Sequence, residues 1–323
     1  MIALDCDILG PQLGLDALVA ALDKDHRNGV DRVERALLTE PRADEPGGPN
    51  HLLVWPAWRF GAYAGAKLVS VFPGNAAVGR PTNATVYVLF DGADGRPLAV
   101  LTGDCFTMMK TAADSALAAR YLARPDARVL ACLGAGAQAA TQIAALRAVR
   151  PSIERIVVWN RTAEKVERLV ARLREDGLDA VVAVDADTAV GAADIVTAVT
   201  SSTVPIVLGA RLRPGTHVDL VGGFTPAMRE ADDDAVRHAR VFVDTRQFTV
   251  KDCGDIAGPI ASGALRPEDI VGDLYDLCRG WAPGRRADDE ITLFKNAGGG
   301  HLDLMTAVAF YRFATGTDES GGA

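Results

Sequence analysis

Residues 127–149, ARVLACLGAGAQAATQIAALRAV, limit the folds open to this chain more than any other stretch. An apolar run ends in Gly134-Ala135-Gly136-Ala137-Gln138-Ala139, and a helical run follows. A G-x-G-x-x-A motif that closes a strand and opens a helix is in the context that gives it meaning. The first glycine permits a tight turn. The second lets an anion approach the backbone, and the small third residue allows close helix–strand packing. The free N–H groups at the start of the helix then favour a pyrophosphate. Gly134, Gly136, Ala137 and Gln138 are therefore the expected phosphate end of a dinucleotide site.

The same alternation continues. IERIVVWNRTAEKVERLVARL reads as strand then helix, and DAVVAVDADTAVGAADIVTAVT, HVDLVGG and ARVFVDT add further strands. Short apolar strands alternating with amphipathic helices predict a doubly wound parallel sheet with helices on both faces. Its second strand also selects the cofactor. An NAD-binding unit ends that strand with an acid about 20 residues on, bonded to the ribose 2′-hydroxyl. Here Asn160-Arg161-Thr162 stands in that place. A carboxylate would repel a 2′-phosphate, whereas these residues offer donors and a positive charge. The expected cofactor is NADPH, with NADH weaker.

The first 100 residues read differently. LDALVAALDKDH is an amphipathic helix, and HLLVWPAW and AKLVSVFPG are strands. ATVYVLFDGADGRPLAVLT is a hairpin turning on Asp91-Gly92-Ala93-Asp94-Gly95. DCFTMMKTAADSALAARYLA is a helix, stopped by Arg124-Pro125-Asp126, that leads into the next domain. The tail TLFKNAGGGHLDLMTAVAFYRFA is a glycine-rich turn and a helix that could pack on either domain. A length of 323 residues suits two domains, and 49% apolar with 24% charged residues suits a soluble globular protein. The net charge of −8 argues against nucleic acid as the main partner. The cysteines are odd in number and lack C-x-x-C spacing, which points to a reducing cytoplasm and to neither disulfides nor zinc. The acidic start MIALDCDILG is not a signal peptide, and no apolar run is long enough to span a membrane.

Taken in order, KLVSVFPGN, GADGRPLAVLTGDCFTMMKTAADSALAARYLARPDA, GAGAQA, LVGGFTPAMRE, CGDIAGPI and GRRADDEITLFKNAG resemble the ornithine cyclodeaminase/μ-crystallin family, from about residue 42 to about residue 314. The resemblance implies an α/β architecture in which a Rossmann domain is inserted in a second α/β domain for substrate binding and dimerisation. The expected boundaries are 1–112, completed by 293–323, and 113–292 for the Rossmann domain. It also implies a homodimer.

Site residues follow position by position. Lys67 matches the family's active-site lysine, and a lysine within an apolar strand is costly unless its charge is used. Arg42, 14 residues before Pro56, matches an arginine that clamps the substrate carboxylate, with Arg59 as competitor. Lys110 stands where the family usually has arginine, keeping the charge without the planar fork. Cyclodeaminases carry an aspartate after the glycine pair of VGGFTP. Here Phe224 takes that place and Met228 replaces a lysine a few residues on, which removes the base expected for ring closure and allows an aromatic wall to the nicotinamide pocket. Thr82 joins the expected cofactor contacts. Gly298, Gly299 and Gly300 are expected to bring backbone close to a ligand, the cofactor. His301 beside them is a candidate proton donor, while His26, His51, His217 and His238 have no metal-ligand spacing.

The expected activity is NADPH-dependent reduction of Δ1-pyrroline-2-carboxylate or Δ1-piperideine-2-carboxylate to proline or pipecolate. Either Lys67 through water or His301 would supply the proton. An alanine-type dehydrogenase, an ornithine cyclodeaminase and a non-catalytic NADPH-binding protein are the alternatives.

Overall fold

A computed structural model of the protein describes residues 1–40, 48–223 and 225–317. The chain divides into two compact units, Met1–Lys110 with Gly298–Ala323, and Thr111–Ala297. The first unit opens with β1 (Ile2–Asp5), α1 (Cys6–Leu13), α2 (Leu15–Asn28), β2 (Arg32–Val33), β3 (Ala36–Glu40), β4 (Asn50–Arg59), β5 (Tyr63–Val71), β6 (Asn83–Asp91) and β7 (Pro97–Thr102). Helix α3 (Asp104–Leu122) leads into the second unit. There follow β8 (Val129–Leu133), α4 (Ala137–Val149), β9 (Arg155–Trp159), α5 (Ala163–Glu175), β10 (Asp179–Val182), α6 (Ala186–Ala192), β11 (Ile195–Ala198), β12 (His217–Leu220), α7 (Asp233–His238) and β13 (Ala239–Val243). The unit ends with α8 (Arg246–Asp252), α9 (Gly254–Ser262), β14 (Gly272–Asp273), α10 (Leu274–Arg279) and β15 (Ile291–Lys295), and α11 (Gly300–Thr315) belongs again to the first.

In the first unit the strands run β1-β7-β6-β5-β4-β2, with β3 also beside β4. The β6–β7 hairpin forms where the turn signal lies: Asp91 Oδ1 accepts from Ala93 N, and Asp94 Oδ1 from Arg96 N. Pro56 sits inside β4 without breaking it. Its open side falls between the partners β3 and β2, and its carbonyl there accepts from Glu34 N at 3.0 Å. The missing N–H therefore costs no ladder bond. Helix α11 is buried from Gly300 to Phe310, packed by α1 and α2 and by β4, β5 and β6. A helix buried all round is a core helix. The sequence left open where this helix packs, and it packs in the first unit.

In the second unit all neighbouring strands are parallel, in the order β10-β9-β8-β11-β12-β15-β13-β14. Helices cover both faces. Ile143 and Leu146 of α4 and Val166, Val170 and Leu173 of α5 line one core, while Val190 of α6, Val236 of α7 and Ile256 of α9 line the other. The 166/170/173 spacing is a single helical stripe, and each such side chain contributes roughly 1.5–3 kcal/mol when fully buried. Strand order reverses between β8 and β11, the switch point at which such sheets bind ligands. Strand β15 lies between β12 and β13 and is paired from Ile291 to Lys295. The boundary expected at 292/293 would cut this strand, so the unit extends to Ala297. The expected start at 113 likewise falls inside α3, two residues after the division at Thr111.

Among the described residues no helix is long and apolar enough to cross a membrane.

On the helix-facing side of β5, the Tyr87 ring occupies the space a side chain at Gly65 would need. A Cβ there would come 2.4 Å from the Tyr87 hydroxyl oxygen. Tyr87 packs on Phe106 at 5.7 Å, and Phe106 on Phe310 at 6.2 Å, so the ring has little room to retreat. Gly65→Ala is expected to lower stability by about 1–3 kcal/mol. Urea denaturation checks this: the midpoint falls with the slope unchanged. An unmoved midpoint would show that the ring yields freely.

Candidate active site

The glycine turn lies at the switch point. Gly134 has φ +118°, its N–H donates to Trp159 O at 2.7 Å, and a Cβ would fall 2.7 Å from Val199 O. This glycine serves the chain itself. Gly136 is different: a Cβ there meets nothing within 4 Å. It is the N-cap of α4, and no side chain caps that helix. The first N–H groups of α4, at Ala137 and Gln138, receive no side-chain cap and suit a pyrophosphate. Ala139 is fully buried against the sheet, as close packing requires. The Gln138 amide donates to Gln142 Oε1 at 3.2 Å.

The pocket beside this turn is lined on one side by Asn160, Arg161, Thr162 and Lys165, and on the other by residues 199–204. No carboxylate is among its lining residues. The Asn160 amide donates to Thr162 O at 3.3 Å, which shapes the turn into α5. Arg161 and Lys165 are exposed. Lys165 is a second cation that the sequence did not single out; it stands in the first turn of α5, three residues after the N-cap Thr162. These residues fit a dinucleotide.

A second group of residues assembles inside the first unit. Lys67 comes from β5, Lys110 from α3 and Asp303 from α11. Lys67 Nζ lies 2.9 Å from Asp303 Oδ2 and 3.1 Å from Oδ1, and Lys110 Nζ lies 2.5 Å from Oδ1. All three side chains are at most 5% exposed. Trp55 is the register partner of Lys67 on β4, and Lys67 Nζ stands 4.1 Å from its ring centroid. The Arg35 guanidinium sits 5.1 Å from the same centroid, and its Nη2 donates to Gly298 O at 3.4 Å. Two ammonium groups thus share one carboxylate, and Arg35 stands over the same tryptophan as Lys67, which leaves a positive surplus suited to a second anion.

The protonation states follow from burial and charge. Burial first, and the neighbouring Lys110, pull the Lys67 ammonium down to about 7, against the opposing pull of Asp303. Burial pushes the Asp303 carboxyl upward, but Lys110 and Lys67 outweigh it and hold the group below its ordinary range. His301, 1% exposed, is pushed down to about 3 by burial, Lys110 and Arg35, against Asp303. Its imidazole is neutral at physiological pH. It meets His26 edge-on, ring centroids 5.9 Å apart.

The remaining candidates lie elsewhere. Arg59 pairs with Asp25 at 3.3 Å, four residues along β4 from Trp55 and so about 13 Å away by strand rise. Thr82 precedes β6 in the first unit, where its carbonyl accepts from Phe72 N at 2.7 Å. Arg42 and Phe224 lie outside the described residues. The three glycines approach protein groups. Gly298 has φ +60° with its Cβ position 3.5 Å from Lys110 Nζ, Gly299's lies 2.7 Å from His301 Nδ1, and Gly300's 3.0 Å from Val33 Cγ1. Among the described residues no group of three or more His, Cys, Asp or Glu could hold a metal ion.

The model of the ornithine cyclodeaminase/mu-crystallin family matches residues 15–317. The chain is 48% identical over 262 residues to Delta(1)-pyrroline-2-carboxylate reductase of Paracoccus denitrificans, covering 80% of this chain and 82% of that protein. The structure of Thermococcus litoralis Delta(1)-pyrroline-2-carboxylate reductase in complex with NADH and L-proline aligns with a TM-score of 0.86 at 27% identity, over 98% of both chains. An archaeal alanine dehydrogenase dimer with bound NAD aligns with a TM-score of 0.85 at 27% identity, over 97% of this chain and 96% of that one.

Asp303→Asn leaves two buried ammonium groups without their counter-ion, and a destabilisation of about 3–5 kcal/mol is expected. Its pH dependence has a definite sign. Lys67 titrates near 7 in the folded chain against an ordinary 10.5, so the folded state sheds this proton first as pH rises. The variant lowers that affinity further. Its deficit is therefore expected to be larger at pH 6 than at pH 9 in urea denaturation. An equal deficit at both would show that Lys67 is not the group left unpaired.

Proposed function

The chain belongs to the ornithine cyclodeaminase/mu-crystallin family, and from that premise we propose that it reduces a small cyclic imino acid, Δ1-pyrroline-2-carboxylate or Δ1-piperideine-2-carboxylate, to proline or pipecolate. The observation that carries the reading is the Lys67–Asp303–Lys110 group. It combines a positive surplus for a carboxylate with an ammonium that yields its proton near neutrality. An anion bearing a C=N bond needs both. Identity of 48% to a Delta(1)-pyrroline-2-carboxylate reductase supports the same substrate class.

We assign the cofactor as NADPH in preference to NADH. The Thermococcus litoralis relative was solved with NADH, so the preference rests on this chain's own Asn160, Arg161, Thr162 and Lys165. Gly134, Gly136, Ala137 and Gln138 hold the pyrophosphate, and Thr82 is retained as a further expected contact. When bound, a reduced nicotinamide supplies a hydride to the C=N carbon. The residues of the chain do the rest. Lys110 and Arg35 hold the substrate carboxylate, with Arg42 as the further ligand expected from the sequence. Lys67 gives its ammonium proton, directly or through one water, to the nitrogen that receives the C=N electron pair. The neutral Lys67 amine regains a proton from solvent. His301 is a poor proton source at neutral pH because its imidazole is already uncharged. Phe224 stands where cyclisation would need a carboxylate, which argues against ornithine as a substrate.

The first unit serves as the substrate domain and pairs two copies as a homodimer. On the sheet face away from α11, Leu38, Leu52, Val54, Leu68, Val86 and Val88 stand in register with no charge among them, and Leu38 and Leu52 are 55% and 41% exposed. Such a face is what an interface between copies covers. The second unit serves as the Rossmann domain. Five cysteines without a disulfide suit a cytoplasmic enzyme.

Two experiments test this reading. The first follows NADPH oxidation with five- and six-membered cyclic imino acids, with pyruvate plus ammonia and with ornithine plus NAD as comparison arms. Turnover is expected with the cyclic imines, at kcat/KM about tenfold or more above that with NADH. Asn160→Asp is expected to move the preference toward NADH. Faster turnover with pyruvate and ammonia would make the protein an alanine-type dehydrogenase instead, and equal use of both cofactors would remove the role given to Asn160-Arg161-Thr162.

The second concerns the proton. Lys67 carries it below about 7 and loses it above, so kcat/KM for imine reduction is expected to fall as pH rises through that value. Lys67→Ala is expected to lose this limb and to lower kcat by roughly 10²-fold or more. His301→Ala is expected to keep the limb. A Lys67→Ala enzyme of normal kcat, or loss of the limb in His301→Ala, would assign the proton to another group.

A further inference from the structure

Glu230 is fully buried, yet it belongs to none of the groups described so far. Its carboxylate is divided between two loops. Oε1 accepts from Thr200 N at 2.7 Å and from the Thr200 hydroxyl at 2.8 Å. Oε2 accepts from Val221 N at 3.1 Å and Gly222 N at 2.7 Å. Thr200 follows β11, and Val221 and Gly222 follow β12, so one side chain ties together the carboxyl ends of two adjacent strands. The loops touch at that point: a Cβ on Gly222 would fall 1.6 Å from Thr200 O.

Glu230 is itself held from behind. Its backbone N–H donates to Asp255 Oδ1 at 2.7 Å, and Asp255 Oδ2 lies 3.2 Å from Lys295 Nζ at the end of β15. Lys295 also donates to Leu220 O at 3.2 Å. The carboxylate is thus fixed to the sheet on one side and aimed at two loops on the other.

The place of those loops gives the arrangement a role. A dinucleotide spans the switch point, with its two halves over the two halves of the sheet. The adenine half belongs with β8, β9 and the Asn160–Thr162 turn. The other half belongs beyond β11 and β12, toward the loops that carry Thr200, Val221 and Gly222, and the first of these loops also forms the wall opposite Asn160, Arg161, Thr162 and Lys165. We propose that Glu230 is the positioning residue that sets the nicotinamide half of the cofactor site, by holding the loops after β11 and β12 in one register. The proposal rests on the dinucleotide reading above. Glu230 touches no ligand and acts only through Thr200, Val221 and Gly222.

The experiment separates the two halves of the cofactor. Binding of 2′,5′-ADP, which carries the adenine half and the 2′-phosphate, and of NADP+ is measured by calorimetry on the full-length wild type and on Glu230→Gln. The variant keeps the shape but turns an amide toward backbone N–H donors. NADP+ is expected to bind about tenfold or more weakly, the scale of losing one hydrogen bond to a charged group. The affinity for 2′,5′-ADP is expected to stay within about twofold, a change under 0.5 kcal/mol. Should Glu230→Gln fail to fold, Thr200→Val removes one donor only and is expected to give the same split at smaller size. NADP+ affinity unchanged in the variant, or both ligands weakened equally, would overturn the positioning role. A wild type that binds neither ligand would instead overturn the dinucleotide reading beneath it.

Discussion

Two ammonium groups share one buried carboxylate, and the architecture of the first unit is what makes this possible. Lys67 and Asp303 are 236 residues apart in the chain. They meet because α11 returns to the first unit after the whole of the second has been traversed. A charge moved into the interior alone costs several kcal/mol, so neither lysine would be tolerated without Asp303, nor Asp303 without them. Neutralisation is incomplete by design of the stoichiometry: one anion serves Lys67 and Lys110, and Arg35 stands over the same tryptophan as Lys67. The surplus charge and the weakly held proton of Lys67 have one cause. Desolvation penalises the Lys67 ammonium, and the single carboxylate, shared with Lys110, does not offset it.

The second unit solves a different problem with the same economy. A parallel sheet leaves helix starts and loop N–H groups at its carboxyl edge, where they face a ligand. At Gly136 the edge is left open, with no side chain on the glycine and no cap on α4. Beyond the switch point it is closed instead by Glu230, which takes up three backbone N–H groups and a hydroxyl. One end of the pocket thus offers free donors, and the other has its donors already committed.

Features set by neighbours in sequence were readable from the sequence. The G-x-G-x-x-A turn, the absence of an acid at Asn160, the β6–β7 hairpin and the strand–helix alternation all depend on residues within about one structural element of each other. Lys67 was legible because a lysine in an apolar strand is anomalous by itself. Its counter-ion was not: Asp303 stood in view beside His301, but an aspartate near a helix start usually has a local explanation. Arg35, Trp55 and Glu230 were missed for the same reason, since their significance lies in partners on other elements. Strand β15 was taken for the opening of the tail. A five-residue apolar run followed by glycines has no local mark of a strand inserted into a distant sheet edge. The triple glycine is a different case. It was expected to bring backbone close to a ligand, and the protein groups nearest to it are Lys110, His301 and Val33.

The two buried carboxylates show why burial alone does not identify a reacting group. Asp303 and Glu230 are both fully inaccessible. Glu230 accepts from groups that cannot lose their protons at any ordinary pH: backbone N–H and a threonine hydroxyl. Those donors fix geometry and supply no exchangeable proton, although burial raises the Glu230 carboxyl itself to about 7. Asp303 accepts from two ammonium groups, and one of them is lowered to about 7, where solvent can take or return its proton. That environment can do chemistry. The distinction lies in what the carboxylate is bonded to, and it separates a residue that shapes a site from one that sets the proton affinity of its neighbour.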